Sequence, residues 1–287
     1  MTNRRAFLKF SGALALGSML NPLSLLAQPK RAEKPIGLQL YSLRDDFKSD
    51  PKGTLKNVAD IGYKHLESAS YTDGQIYGMA PTEFKMYIED IGLKLRSAHL
   101  GGPRYVPEKK EESIDWWKTA VADHHHMGAS YIIKPSMPIP ATLKELDIWN
   151  DYYNAIGDIA QDAGLQFGFH NHAREFEKIE GEVMLEHMIK NTNPATVCFE
   201  LDVYWCKKGG QDPATFINKH AGRFPLLHIK DEKELGESGD MDYQPIFEAA
   251  YKQGLDYYFV EVEQYNFEPL ESVRQSFNYL NEAPYVL

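Results

Sequence analysis

The stretch Gln161-Asp162-Ala163-Gly164-Leu165-Gln166-Phe167-Gly168-Phe169-His170-Asn171-His172 runs from the end of an amphipathic segment through a glycine into a short apolar run that closes on two histidines. A glycine just past a helix supplies its left-handed C-cap. A near-continuous apolar run of strand length reads as a strand buried on both faces. The same phrase of helix end, glycine and strand recurs at Ile61-Gly62, Ile91-Gly92 and Gln253-Gly254, which argues for one repeated βα unit.

Working outward from that phrase, the spacing predicts strands over 36–41, 64–67, 93–100, 131–134, 166–171, 196–202, 226–230 and 257–261. Helices are predicted over 54–61, 81–91, 114–127, 143–163, 181–190, 213–221, 244–252 and 269–280, and no hairpin signal separates the pairs. So many βα pairs in one chain of this length fit an α/β fold of the closed (β/α)8 TIM barrel type, a single domain; an open parallel sheet is the runner-up and usually has fewer strands.

The N-terminus is set aside from that fold. Arg4 and Arg5 precede Ala6-Phe7-Leu8-Lys9 and an apolar run to Leu26, broken by Gly12, Gly17, Asn21 and Pro22. This is the build of a signal peptide, and Arg-Arg-x-Phe-Leu-Lys resembles the twin-arginine export signal. The expected division is 1–27 as signal and 28–287 as barrel, with a periplasmic, exported product that keeps no membrane span after processing. Loss of Arg4, Arg5 and Lys9 takes the formal charge from −10 to about −13. That sign disfavours nucleic acid and anionic membranes as partners. Cys198 and Cys206 are the only cysteines, too few for a disulfide framework or a thiolate metal site.

In such a barrel the chemistry lies where strands end at their C-terminal edge. Glu67, His99, His170, His172, Asp202, His228, Lys230 and Glu261 all fall at or just beyond predicted strand ends. Residues i and i+2 of a strand point the same way, so His170 and His172, Glu200 and Asp202, His228 and Lys230, and Glu261 and Glu263 form pairs in which the second member lies nearer the mouth. Two carboxylates and two or three histidines from consecutive strands point to a divalent metal site. His124-His125-His126 lies in a predicted helix, where successive residues diverge by about 100°, and is expected at the surface. Tyr41, Arg104, Trp149, Tyr204 and Trp205 fall near predicted loops at the mouth, as candidates for stacking on a sugar.

These residues resemble the xylose isomerase-like barrel superfamily of sugar epimerases, inosose dehydratases and dehydroshikimate dehydratases. The resemblance spans the predicted barrel and rests most on Phe199-Glu200-Leu201-Asp202-Val203, Leu227-His228-Ile229-Lys230-Asp231 and Val260-Glu261-Val262-Glu263-Gln264. It implies one metal held by Glu, Asp, His and Glu from strands five to eight, the last three matching Asp202, His228 and Glu261. Strand five departs from the pattern: where the family commonly reads Glu-Asn-His, this chain reads His170-Asn171-His172. His170 then takes the ligand place and His172 matches a proton-transfer His, although strand alternation also allows the exchange of the two roles. The resemblance further implies catalytic parts for His172, Lys230 and Glu261, and substrate contacts from Glu67, His99 and Tyr41.

Two nitrogen and two oxygen ligands suit Mn, Co, Ni or Zn better than Mg or Ca. Replacing a carboxylate by imidazole removes one of the two opposed acid–base groups an epimerase needs. The expectation is therefore a metal-dependent enzyme of the sugar isomerase/epimerase type that works through an enediolate on a keto-sugar or glycoside, tilted toward a 3-keto-glycoside lyase. A sugar epimerase or isomerase is the alternative, and a non-catalytic sugar-binding protein is a further one. A DNA-repair endonuclease, which shares the barrel, needs three zinc ions and a basic surface, and the acidic charge speaks against it. The expected partner is a small carbohydrate, and a homo-oligomer is compatible with the sequence.

Overall fold

The computed structural model describes residues 34–287; the signal-peptide expectation for 1–27 lies outside them. Eight parallel strands form one sheet: β1 (Gly37–Gln39), β2 (His65–Ser68), β3 (Lys94–Ala98), β4 (Tyr131–Lys134), β5 (Gln166–His170), β6 (Val197–Asp202), β7 (Leu226–Lys230) and β8 (Tyr257–Glu261). Every neighbouring pair from β3 through β2, β1, β8, β7, β6 and β5 to β4 is parallel. The ring closes between β3 and β4 through a bridge of His99 with Ile133, where the Leu100 N–H donates to the Ile133 carbonyl at 2.8 Å. This is the predicted (β/α)8 barrel.

Helices pack outside it, among them α1 (Pro51–Ile61), α2 (Pro81–Asp90), α3 (Lys110–Met127) and α4 (Leu143–Asp162). Their starts follow ordinary capping chemistry: Asp50 accepts from the Gly53 N–H ahead of α1, and Thr142 accepts from the Glu145 N–H ahead of α4. The predicted helix from residue 181 begins instead at Met184, because Glu180 and Gly181, at φ 49° and 93°, turn a small hairpin between Lys178–Ile179 and Glu182–Val183. A short helix, Val203–Lys208, was not anticipated; Asp202 ends β6 and also caps it, accepting the Trp205 N–H at 2.8 Å.

The barrel interior is layered. At its base Tyr131, Ile133, Cys198, Leu226 and Phe259 form an apolar plug. Two glycines make room for it: a Cβ on Gly168 would stand 2.7 Å from Ile133 and 2.9 Å from the Cys198 sulfur, and one on Gly37 would stand 2.5 Å from the Phe259 ring. Above the plug the inward side chains turn ionisable. Among the described residues no helix is long and apolar enough to cross a membrane.

The His124-His125-His126 expectation is corrected in part. His125 and His126 are exposed, but His124 is fully buried, its Nδ1 2.7 Å from the Ala120 carbonyl and its ring against Tyr71. Helical spacing turns only one of three successive residues inward, and here that one faces the barrel side.

Candidate active site

The strand ends of β5 to β8 place four side chains around one point. One ligand atom from each of His170, Asp202, His228 and Glu261 lies within 4.8 Å of the others, and all four residues are buried. His170 Nε2 is 3.6 Å from Asp202 Oδ2, and His228 Nδ1 is 3.3 Å from Glu261 Oε2. Ligand atoms about 2.1 Å from a common centre stand about 3.4 Å apart in a tetrahedron, so these edges suit a cation. Both ring nitrogens of His170 and Asp202 Oδ2 are buried without a hydrogen-bond partner. A buried polar atom left unpaired is costly, and a cation between His170 Nε2 and Asp202 Oδ2, 3.6 Å apart, would satisfy one atom of each side chain. The residues thus fit the divalent ion expected from the sequence.

Neighbouring strands fix this set. Asn171 Oδ1 accepts the Asp202 N–H at 3.2 Å, and its amide donates to the Asp202 carbonyl at 3.4 Å, tying the ends of β5 and β6 together. Of the two strand-five histidines, His170 sits with the ligand set and His172 stands beside it, ring centroids 5.0 Å apart, on the wall of a cavity of about 630 Å³. Burial and the neighbouring His170 push the His172 ring down to about 4, so it is neutral near pH 7. Its Nδ1 has no partner.

Glu261 is heavily engaged. Lys230 donates to its Oε2 at 2.8 Å and reaches Glu263 at 2.6 Å. Burial alone would raise the Glu261 carboxyl, but the Lys230 ammonium and His228 hold it well below the usual range. Lys230 is itself raised above the ordinary lysine range: burial opposes this, and Glu261, Asp202 and Glu263 outweigh it. Its ammonium also lies 5.5 Å from the Trp205 ring centroid.

One layer deeper is a second ionisable group. Glu67 has no exposed surface; it accepts from Gln39 at 2.7 Å and from Ser97 at 2.5 Å, and lies 2.5 Å from His228 Nε2. Burial works to raise Glu67, but His99 and His228 bring it down to about 2. His99 Nε2 meets Glu200 Oε2 at 2.7 Å. Burial, and then the charge of Glu67, lift Glu200 well above the usual carboxylate range.

The sequence-predicted substrate contacts therefore separate. Tyr41 and His99 line the cavity, whereas Glu67 lies beneath its floor. Glu200, Asn171, Glu263 and Arg174 were not singled out as site residues. Glu200 had a signal, a charge inside an apolar strand two residues before Asp202. Arg174 had none, because the turn Ala173–Phe176 that carries it to the cavity follows the strand. Of the other aromatics, Trp205 stands near His172, ring centroids 6.0 Å apart, Tyr204 is buried, and Trp149 packs against Tyr105.

A closed parallel barrel with a potential ligand set and an unpartnered histidine at its C-terminal mouth defines the class: a (β/α)8 barrel whose C-terminal end could hold a divalent ion. More particularly, the chain belongs to the xylose isomerase-like TIM barrel family, whose model matches residues 55–283. A solved sugar phosphate isomerase/epimerase from Parabacteroides distasonis ATCC 8503 is 36% identical, with a TM-score of 0.84 over 88% of this chain and 100% of that one. An inosose dehydratase from Geobacillus kaustophilus is 22% identical over 205 residues, which is 66% of this chain and 64% of that relative. A 3-keto-D-glucoside 4-epimerase from E. coli shares the fold, at 16% identity and a TM-score of 0.69 over 87% of this chain and 100% of that one.

Proposed function

We propose that this protein is a divalent-metal-dependent lyase that cleaves 3-keto-glycosides by β-elimination, on a substrate met after export. The observation that carries the reading is the convergence of His170, Asp202, His228 and Glu261, with unpartnered His170 nitrogens and Asp202 Oδ2, beside the neutral ring of His172. A relative named for the dehydration of an inosose and a fold neighbour named for a 3-keto-glucoside support the carbohydrate class.

A divalent ion held by those four side chains would supply Lewis acidity to a ketone oxygen. With a ketone at C3, the C2 proton becomes acidic, and the neutral ring of His172 on the cavity wall would take it. The electron pair of the C2–H bond enters an enediolate; its collapse forms the C1–C2 double bond and breaks the bond from C1 to the leaving oxygen. The proton held by His172 then passes to that oxygen, which closes the balance. Lys230, held cationic by Glu261 and Glu263, stabilises negative charge nearby. Glu261 serves better as a ligand than as a base, because its carboxyl is held so low. Glu67, out of reach of substrate, positions His228: accepting from Nε2 leaves Nδ1 free for the ion.

An epimerase needs a second proton-transfer group on the opposite face of the sugar, and two other ionisable groups at the mouth, Lys230 and Glu263, are engaged with each other at 2.6 Å. The experiment incubates metal-loaded protein with a 3-keto-glucoside in deuterated water. Release of the aglycone and a 2-hydroxy-3-keto sugar with a C1–C2 double bond is expected. His172→Ala is expected to keep its metal and lose turnover, whereas His170→Ala loses metal by elemental analysis. Deuterium at C2 of an intact glycoside would establish the epimerase instead, and neither product across several metals would overturn both.

A further inference from the structure

The reaction cavity is not the only space at the mouth. A second cleft of about 490 Å³ adjoins it, and Tyr41 and Ala69 line both. The walls of the cleft are Leu40, Phe47, Pro51 and Tyr77, with Phe47 and Tyr77 stacked at a centroid distance of 4.2 Å.

The partition between the two spaces is built, not incidental. Tyr77 sits at φ 49°, a left-handed conformation that is strained for a non-glycine residue, and its hydroxyl accepts the Ala69 N–H at 2.9 Å. That bond fixes the backbone where β2 leaves the barrel between the two cavities. Tyr41 is 44% exposed, large for an aromatic ring in the middle of a binding face. The Arg44 guanidinium lies 4.8 Å from its ring centroid and is anchored to the Tyr265 hydroxyl at 2.7 Å and the Glu263 carbonyl at 3.1 Å.

The chemistry of the cleft selects its occupant. A sugar ring needs several hydrogen-bonding groups, yet the polar groups here are largely spent: Arg44 on Tyr265, Glu263 and the Tyr41 carbonyl, and Lys48 on Asp45 at 2.7 Å. The Ser70 hydroxyl is the principal one left. Rings and aliphatic side chains favour a flat apolar group, and no carboxylate lines the cleft to repel an electron-rich one.

We infer that this cleft is the aglycone subsite, and that the substrate is an aryl glycoside lying across Tyr41, with its sugar in the metal cavity and its aromatic leaving group in the cleft against the stacked pair of Tyr77 and Phe47. The inference rests on the glycoside reading of the neighbouring cavity. Phe47 and Tyr77 contribute specificity, and Ala69, held by Tyr77, sets the angle between the two halves of the ligand.

The test is a binding measurement that needs no turnover. Phenyl and methyl C-glucosides oxidised to the ketone at C3 carry a carbon link that the elimination does not break. Calorimetry on the metal-loaded protein is expected to show the phenyl compound bound about tenfold tighter than the methyl one, the gain typical of burying one ring. Ser70→Phe, which fills the cleft, is expected to bring that ratio near one while the methyl compound still binds. Lys48→Trp fills the same space from the rim and serves if Ser70→Phe fails to fold. Equal affinities in the parent protein, or an unchanged ratio in a folded filled variant, would overturn the subsite and leave the lyase reading standing. Tighter binding of a disaccharide analogue than of the phenyl compound would replace the aromatic ligand with a sugar and so overturn the proposal. Binding of none of the probes would remove the glycoside reading itself.

Discussion

At the scale of single residues, the chain separates histidines that the sequence presents side by side. His170 and His172 share one strand direction, and spacing alone leaves their roles exchangeable. Both line the cavity, and they differ in their neighbours: His170 Nε2 stands 3.6 Å from Asp202 Oδ2, whereas His172 lies near Trp205, ring centroids 6.0 Å apart. That information lies in tertiary contacts, which no local pattern carries. His124 makes the same point away from the site. Burial drives its ring from 6.5 to about 4, so between those values the unfolded chain binds a proton that the folded chain does not. Its contribution to stability is therefore complete above pH 6.5 and is lost as the pH falls toward 4, at about 1.4 kcal/mol per unit. Denaturation of His124→Leu and the parent at pH 7 and at pH 4.5 is expected to show a smaller acid loss in the variant, by on the order of 2 kcal/mol. An equal loss in both would mean that His124 is protonated in the folded protein.

At the scale of elements, β4, β7 and β8 have the boundaries that their apolar runs predict, because a strand buried on both faces leaves no ambiguity of period. Legibility fails where one residue does two jobs. Asp202 closes a strand and caps a helix, so Val203–Lys208 is hidden in what reads as the loop after β6. Glu200 differs: its spacing places it inward and below Asp202, but only the closed ring brings His99 Nε2 to 2.7 Å from its Oε2. Gly168 in β5 reads as a weak point in a strand and is a packing requirement, since Ile133 and Cys198 already occupy the space of its Cβ. Gly168→Ala is expected to cost about 1–3 kcal/mol in urea denaturation, and Cys198→Ala in the same chain should recover part of it. A neutral Gly168→Ala would show that the plug has slack.

At the scale of the whole molecule, the recurrence of helix, glycine and strand was enough to specify the barrel, and the charged strand ends were enough to locate its working end. What the sequence did not disclose is how evenly the ring is held together. β7 and β8 are aligned over five residue pairs, from Tyr257 with Leu226 to Glu261 with Lys230. The joint between β3 and β4 rests on the bridge at His99 and on the Leu100 and Ser130 amides, which donate to Ile133 at 2.8 Å and Arg96 at 2.9 Å. A joint held by so few bonds is expected to open more readily than the β7–β8 ladder. In hydrogen–deuterium exchange the Leu100 and Ser130 amides are expected to label well before those of Phe259 and Val260, and simultaneous labelling would mean that the ring opens only as a unit. His99 stands at that joint and on the cavity floor at once. Each brief parting of the two strands would therefore loosen the floor beneath the substrate, so the rate at which the ring opens and the residence time of a ligand would be set by the same few amides.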